Sequence, residues 1–203
     1  MKKIAIASLK GGSGKSTVAL NLGAALHANK KRVLVVDADE QGTIAKWQEI
    51  SKQDFPDIYV QPKPIIDQII DRVQGKYDIV ILDTPPSYKE QMESVLAAAD
   101  KIIIPVSPGF TDIWSTQEFL SKHKTADMKL LISRLDKRTK IGRSFRMLLE
   151  QLQVPLFKAE ISSRVIITEA WIAGLTVDQY QPESEGAEDF GKLSREVLSW
   201  LKE

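Results

Sequence analysis

At 203 residues, the chain is long enough for one well-buried domain and too short for two of ordinary size, so we expect a single domain spanning residues 1–203. It contains no cysteine, which excludes disulfides, thiolate metal sites and iron–sulfur clusters. The formal net charge of +1 argues neither for nor against binding of nucleic acid. No apolar run approaches the length of a bilayer-spanning helix, so we expect a cytoplasmic protein.

Apolar runs rich in β-branched residues recur along the chain and predict the strands. Runs such as Val33–Val36 do not alternate with polar residues, as is typical of strands that are covered on both faces. Most runs are separated by segments long enough for a helix, which predicts an α/β fold with a mostly parallel twisted sheet flanked by helices on both faces. Ligands of such folds bind beyond the carboxyl ends of the strands. The predicted strands are Ile4–Leu9, Arg32–Asp37, Ile58–Gln61, Asp78–Asp83, Lys101–Val106 and Lys129–Ser133, with a weaker signal at Leu156–Ile161.

A glycine-rich segment directly follows the first predicted strand and opens a helix that should begin near Ser16. Glycines allow such a loop to turn sharply and to bring backbone N–H groups against phosphate oxygens, and the start of the helix adds a partial positive charge. Lys15 can then reach the β- and γ-phosphates of a nucleotide, while the Ser16 hydroxyl can coordinate Mg²⁺. Strict Walker A spacing is not kept, because Leu9 stands where that motif has its first glycine. The predicted phosphate-binding residues are Lys10, Gly11, Gly12, Ser13, Gly14, Lys15, Ser16 and Thr17.

Acidic residues follow two later predicted strands. Asp37 and Asp39 lie at the end of the second strand, and Asp83 ends an apolar strand in the manner of a Walker B segment. Carboxylates at strand ends can hold a metal shell and polarise a water, which phosphoryl transfer requires. We therefore expect Mg²⁺ as a cofactor, with Ser16, Asp37 and Asp83 as its predicted site.

Together with the two acidic motifs, the segment Lys10–Thr17 resembles the deviant Walker A box of the ParA and MinD superfamily of positioning ATPases. The resemblance implies an ATPase in which Lys10 reaches across a dimer interface to the partner's nucleotide, while Lys15 serves its own. Relatives that depend on iron–sulfur clusters are excluded because the chain has no cysteine. The resemblance covers nearly the whole chain, continuing more loosely through residues 105–108, 133–139 and 169–175.

The same resemblance assigns roles to the acidic residues. It implies that Asp39 orients the attacking water and that Asp37 supports the magnesium region. It further implies that Asp83 binds Mg²⁺ through water and that the loop Thr84–Pro86 senses the γ-phosphate. The predicted catalytic residues are Lys10, Lys15 and Asp39.

The segment that contains Ser133 and Arg134 corresponds to the part of the superfamily that reads the nucleotide base, so both residues are predicted to bind nucleotide. Relatives usually have an asparagine where this chain has Ser133. A serine can bond to a base edge but offers a shorter and less discriminating contact. A preference for ATP over GTP is therefore an expectation from the family.

Basic residues dominate the segment 134–146, in which Asp136 is the only acidic residue. Such a segment can place one strongly basic face on a nearly neutral protein, although an ordinary solvated helix face is the alternative. In ParA-type relatives, basic residues on the dimer surface bind DNA without reading its sequence, which phosphate contacts alone can achieve. The predicted DNA-binding residues are Arg138, Lys140, Arg143 and Arg146.

These features favour a small ParA-like ATPase as the leading hypothesis. In that hypothesis ATP closes a homodimer, the dimer binds DNA of the nucleoid in the cytoplasm, and a cargo adaptor protein stimulates hydrolysis to release it. The cargo is a plasmid, a chromosome or a protein assembly.

Two alternatives remain open at this stage. A MinD-like ATPase would bind membrane through a basic amphipathic C-terminal helix, but acids offset the bases beside Phe190, Leu193, Val197 and Trp200, so we expect this face to join the core and no membrane partner. A metabolic P-loop ligase or kinase would need an acceptor pocket with its own acid–base groups. His27 and His123 are the only histidines, and neither lies near a site motif.

Overall fold

The computed structural model describes residues 1–51, 53, 55–87, 90–123 and 126–203. Within these residues strands and helices alternate as far as the seventh strand, as the sequence predicted, and three helices then follow in succession. The strands are β1 (Lys2–Ile6), β2 (Val33–Asp37), β3 (Asp57–Val60), β4 (Ile79–Asp83), β5 (Lys101–Val106), β6 (Met128–Leu135) and β7 (Leu156–Ser162). The helices are α1 (Lys15–Ala28), α2 (Thr43–Ile50), α3 (Ile66–Val73), α4 (Glu90–Ala98), α5 (Phe110–Lys122), α6 (Lys140–Glu150), α7 (Val165–Ile172), α8 (Val177–Tyr180) and α9 (Glu185–Trp200).

The strands form one parallel sheet in the order β3-β2-β4-β1-β5-β6-β7. Every residue of β2, β4 and β5 is buried, which confirms that the runs without polar alternation are covered on both faces. In the strand register Asp83 lies opposite both Ile6 and Asp37. The sheet therefore brings the end of β1 and two strand-ending aspartates to the edge where ligands of this fold class bind.

Helices cover both faces of the sheet, which confirms the predicted architecture. α1 and α9 pack in the core on one face, while α3, α4, α5 and α6 contribute to the core on the other. Phe190, Leu193, Val197 and Trp200 are all buried, so the apolar face of α9 belongs to the core and is not available to a membrane. Within the described ranges, we find no helix with the length and apolar character needed to cross a bilayer.

The boundaries of β1 differ from the prediction of Ile4–Leu9. The strand begins at Lys2 because the Lys2 N–H donates to the Asp78 carbonyl, and it ends at Ile6. Ala7 is fully buried although it lies outside the strand, so the apolar run reflects burial and does not mark where the strand stops. Residues 7–10 consequently separate the strand from Gly11, and the glycine-rich segment does not follow β1 directly.

Candidate nucleotide-binding site

The loop between β1 and α1 has the backbone geometry of an anion site. Gly12 and Gly14 have φ angles of 78° and 94°, in the left-handed region that L side chains rarely adopt. Gly14 is the N-cap of α1, and no side chain among the described residues caps this helix. The first N–H groups of α1 are therefore left for a ligand, and the positive end of the helix dipole favours a phosphate there.

The two lysines of the loop lie in different surroundings. Lys15 is 7% exposed and lines a groove of about 560 Å³, with its Nζ 3.3 Å from the Lys10 carbonyl oxygen. Burial lowers the pKa of Lys15, while the carboxylates of Asp83 and Asp39 partly oppose that change. Lys10 instead turns toward α5, where its Nζ forms an ion pair with the buried Asp112, and it lines a second groove of about 420 Å³. The structure thus brings Lys15, and not Lys10, to the floor of the first groove.

Asp83 is a fully buried acidic group of the site. The Ser16 Oγ donates to Asp83 Oδ2 at 2.6 Å, while Oδ1 is buried and has no hydrogen-bond partner among the described residues. The pKa of Asp83 is raised to about 7, mainly by burial; Asp37 and Asp39 also raise this pKa, while the Ser16 hydroxyl and Lys15 lower it. A bound cation would relieve this unfavourable burial of negative charge.

The donor set around Asp83 fits Mg²⁺. In the part of the chain that the structure describes, no three acidic, histidine or cysteine side chains converge on one metal position. Mg²⁺ is commonly held by one or two carboxylates together with the phosphates of a substrate. Ser16 and Asp83 would therefore hold the ion jointly with a nucleotide.

Asp37, at the end of β2, accepts three backbone hydrogen bonds, and its part in holding Mg²⁺ stays a prediction. Its Oδ2 accepts hydrogen bonds from the N–H groups of Ile44 and Ala45, both at 3.0 Å, and its Oδ1 accepts one from the Asp39 N–H at 3.1 Å. These three backbone donors occupy most of the acceptor capacity of one carboxylate. Asp37 thus fixes the start of α2 and the loop that carries Asp39.

Asp39 faces the groove, as a water-positioning group must. It is 9% exposed, and its Oδ1 accepts a hydrogen bond from the Gln41 N–H at 3.0 Å. Pro86 lines the same groove, while Thr84 is buried and donates its hydroxyl proton to the Ile6 carbonyl. The loop after β4 is therefore anchored at Thr84 and reaches the groove two residues later.

Ser133 and Arg134 both contact the loop between β1 and α1. The Ser133 hydroxyl is buried and donates to the Ser13 carbonyl at 2.8 Å, and the Arg134 Nη1 donates to the Gly12 carbonyl at 2.7 Å. Ser133 therefore supports this loop, and because it also lines the groove, its contact with a nucleotide base stays a prediction. Arg134 is exposed and lines the groove, so it remains a predicted nucleotide contact.

The sequence missed part of the groove and the residue that holds Lys10. Asp112 lies 102 residues from Lys10 and belongs to no motif, so no local pattern indicated it. α7 contributes one wall of the groove. Its sequence is apolar over most of its length, but in the structure Ala170 is its only buried residue among those described. The unpredicted residues that line the groove are Val18, Gln41, Thr43, Ile161, Ser162, Ser163, Arg164, Ile167, Thr168 and Trp171.

The predicted DNA-binding residues do not all lie on one surface. Arg138 and Lys140 are exposed at the start of α6, and the Arg143 Nη1 donates to the Arg138 carbonyl at 2.9 Å. Arg146 is turned away toward β7, where its Nε donates to Glu160 Oε1 at 2.9 Å. Counting charges along the sequence missed Glu160, because this acid reaches the basic segment only through the pairing of β6 and β7.

Comparison with known proteins agrees with this geometry. A family model for the CobQ/CobB/MinD/ParA nucleotide-binding domain matches residues 4–177. The sporulation initiation inhibitor protein Soj of Bacillus subtilis is 30% identical over 249 aligned positions, covering 98% of both chains. Maintenance of carboxysome distribution protein A of Halothiobacillus neapolitanus is 29% identical, covering 96% of this chain and 95% of that one. The solved structure of MinD from Pyrococcus horikoshii, in complex with Mg-ADP, has a TM-score of 0.80 at 24% identity and covers 100% of this chain and 98% of its own. The chain therefore belongs to the CobQ/CobB/MinD/ParA family of nucleotide-binding proteins.

Proposed function

We propose that this protein is a ParA-type, Mg²⁺-dependent ATPase that closes into a homodimer with ATP, binds DNA without sequence preference and positions or partitions a cargo. One relative is named for maintaining carboxysome distribution, which is a positioning function. The observation that carries the proposal is the separation of the two loop lysines, with Lys15 inside the groove and Lys10 outside it. A nucleotidase that acted alone would have no evident use for the outward lysine.

Within one copy, the groove supplies the groups that hold ATP. The N–H groups at the start of α1 and the Lys15 ammonium bind the phosphates, and Arg134 extends the positive surface. Ser16 and Asp83 hold Mg²⁺, which neutralises charge on the phosphate oxygens. Asp39 aligns the attacking water with the γ-phosphorus, and positioning of this kind supplies much of the catalysis in phosphoryl transfer.

In the proposed switch, Lys10 has two states: it is paired with Asp112 in the single copy, or it binds the nucleotide of a second copy. In the single copy the Lys10 ammonium is neutralised by Asp112, whose side chain is only 4% exposed. To serve the nucleotide of a second copy, Lys10 must leave this carboxylate. A γ-phosphate offers more negative charge than Asp112 does, whereas ADP lacks that group, so closure depends on ATP.

Positive charge at the start of α6 supports DNA binding. Lys140 and Arg143 lie in the first turn, near the positive end of the helix dipole, where cations are unfavourable and a phosphate is favourable. Arg138 adds a third cation. Of the three ion-paired basic residues Lys137, Arg138 and Arg146, it has the most exposed side chain. We exclude Arg146 from the proposed surface because it pairs with Glu160 and its side chain is only 32% exposed, whereas Arg138, which pairs with Asp136, has a side chain that is 90% exposed.

The proposed cycle places the protein on the nucleoid of the cytoplasm. ATP closes the dimer, the dimer binds DNA phosphates, and a cargo adaptor protein stimulates hydrolysis and releases the dimer. Because phosphate contacts carry no sequence information, the dimer can bind anywhere along the nucleoid.

Sedimentation velocity with ATP or ADP, together with Mg²⁺-dependent phosphate release, tests this proposal. We expect wild type to sediment as a dimer with ATP and as a monomer with ADP. Lys10→Ala should bind ATP with near wild-type affinity, remain monomeric and lose turnover. A Lys10→Ala protein that dimerises and hydrolyses ATP normally would rule out the two-lysine switch.

A further inference from the structure

Two aromatic side chains are exposed together at the start of α5. Phe110 and Trp114 are 67% and 63% exposed, and their ring centroids are 4.7 Å apart. Residues four positions apart lie on the same face of a helix, so both rings point away from the core. Each aromatic side chain can bury roughly 150–250 Å² in a contact.

The same helical turn contains Asp112, the residue that binds Lys10. Asp112 lies between the two aromatic residues in sequence but points inward, and its carboxylate binds the Lys10 ammonium. Gly109 permits this arrangement, because a Cβ at that position would lie 2.7 Å from Asp112 Oδ2. Gly109, the residue before Phe110, lines the same groove as Lys10, and a Cβ on it would lie 4.0 Å from Lys10 Nζ, so a molecule that reaches Lys10 from outside comes close to the start of α5.

We infer that Phe110 and Trp114 form an apolar contact that a second copy of this chain buries when ATP closes the dimer. The inference rests on the proposed function, in which the nucleotide of the second copy comes to Lys10. A stable interface covers about 800 Å² on each partner and therefore extends well beyond a single helical turn. The two rings would supply roughly 300–500 Å² of that area, and exposed tryptophans are frequent energetic centres of interfaces.

Removing the two rings provides the first test. Asp39→Ala serves as the parent because slow hydrolysis should preserve the ATP-bound dimer. Adding Phe110→Ser and Trp114→Ser should raise the dissociation constant of the dimer at least a hundredfold in sedimentation velocity. Adding Met147→Ser, which removes a 61% exposed apolar side chain from α6, should change it less than threefold. Binding of ADP at the parent's affinity verifies that each variant is folded.

Tryptophan fluorescence provides a second test without altering the aromatic pair. Trp47 and Trp200 are each 2% exposed, so Trp114 dominates quenching by acrylamide once Trp171, which lines the nucleotide groove, is replaced by phenylalanine. In the Asp39→Ala/Trp171→Phe protein, ATP should reduce the Stern–Volmer constant at least twofold, whereas ADP should leave it unchanged.

The outcomes separate this inference from the proposed function. A parent that stays monomeric with ATP overturns the proposed function and the inference with it. A parent that dimerises while Trp114 stays equally accessible, or while the double serine variant dimerises as tightly, overturns the inference alone and leaves a cargo adaptor as the occupant of the aromatic pair.

Discussion

At the floor of the nucleotide groove, Lys15, Ser16 and Asp83 are fixed by a strand end and a helix start, and the Ser16 hydroxyl donates to Asp83. At its outer rim, Lys10 has a single ion pair to α5, and Gly11 is exposed. The floor contains the groups that a nucleotide needs, whereas the Lys10 ammonium at the rim is held by Asp112 in the isolated chain. This difference indicates that changes at the floor should affect nucleotide binding and that changes at the rim should affect association alone.

The largest expected effect comes from Lys15→Ala, which removes the cation of the floor. ATP binding should fall below detection, by a hundredfold or more, because charge-assisted hydrogen bonds to phosphate contribute roughly 1.5–3 kcal/mol each. Isothermal titration calorimetry with ATP and Mg²⁺ measures this, with Lys10→Ala as the control from the rim. If the two variants lost affinity equally, floor and rim would not differ in the way described.

Two neighbouring glycines give a matched pair for the second prediction. A Cβ at Gly11 meets no described atom within 4 Å, so Gly11→Val should leave folding intact and block the approach of a second copy. Gly12 has a positive φ, so Gly12→Val should lower the free energy of unfolding by about 1–2 kcal/mol. Urea denaturation compares the stabilities, and sedimentation with ATP compares association. Normal dimerisation of Gly11→Val would place the interface elsewhere.

The smallest effect is expected for the basic surface of α6. If about four phosphates are contacted, the logarithm of DNA affinity should fall with the logarithm of salt concentration at a slope of roughly −3.6. Replacing Arg138, Lys140 and Arg143 with glutamine should flatten that slope to about −0.9, whereas Arg146→Gln should leave it nearly unchanged because Glu160 already holds Arg146. Fluorescence anisotropy with ATP measures the slopes. Binding that is insensitive to salt or independent of ATP would contradict the proposed DNA surface.

The sequence predicted the floor better than the rim for a physical reason. Strand ends, the glycine-rich loop and the start of α1 are local features, so short sequence patterns predict their residues. Contacts between distant segments depend on strand order, which no short pattern contains. The partnership of Lys10 with Asp112 and that of Arg146 with Glu160 both arise in this way.

Burial also produced a specific error in the prediction. The apolar run that continues past Ile6 was assigned to β1, although Ala7 is buried in a loop. The sequence places Asp37 at a strand end, but it does not reveal that three backbone N–H groups donate hydrogen bonds to this carboxylate. The fold class was predictable because it needs only the alternation of strands and helices.

The central claim is that ATP closes a dimer through Lys10 and that hydrolysis through Asp39 opens it. Sedimentation velocity of Asp39→Ala with ATP, alone and combined with Lys10→Ala, tests this claim most directly. The account predicts that Asp39→Ala forms a long-lived dimer with little turnover, because Lys15, Ser16 and Asp83 still hold the nucleotide, and that the double variant binds ATP as a monomer. An Asp39→Ala protein that hydrolyses ATP normally or stays monomeric with ATP bound, or a double variant that still dimerises, would contradict it.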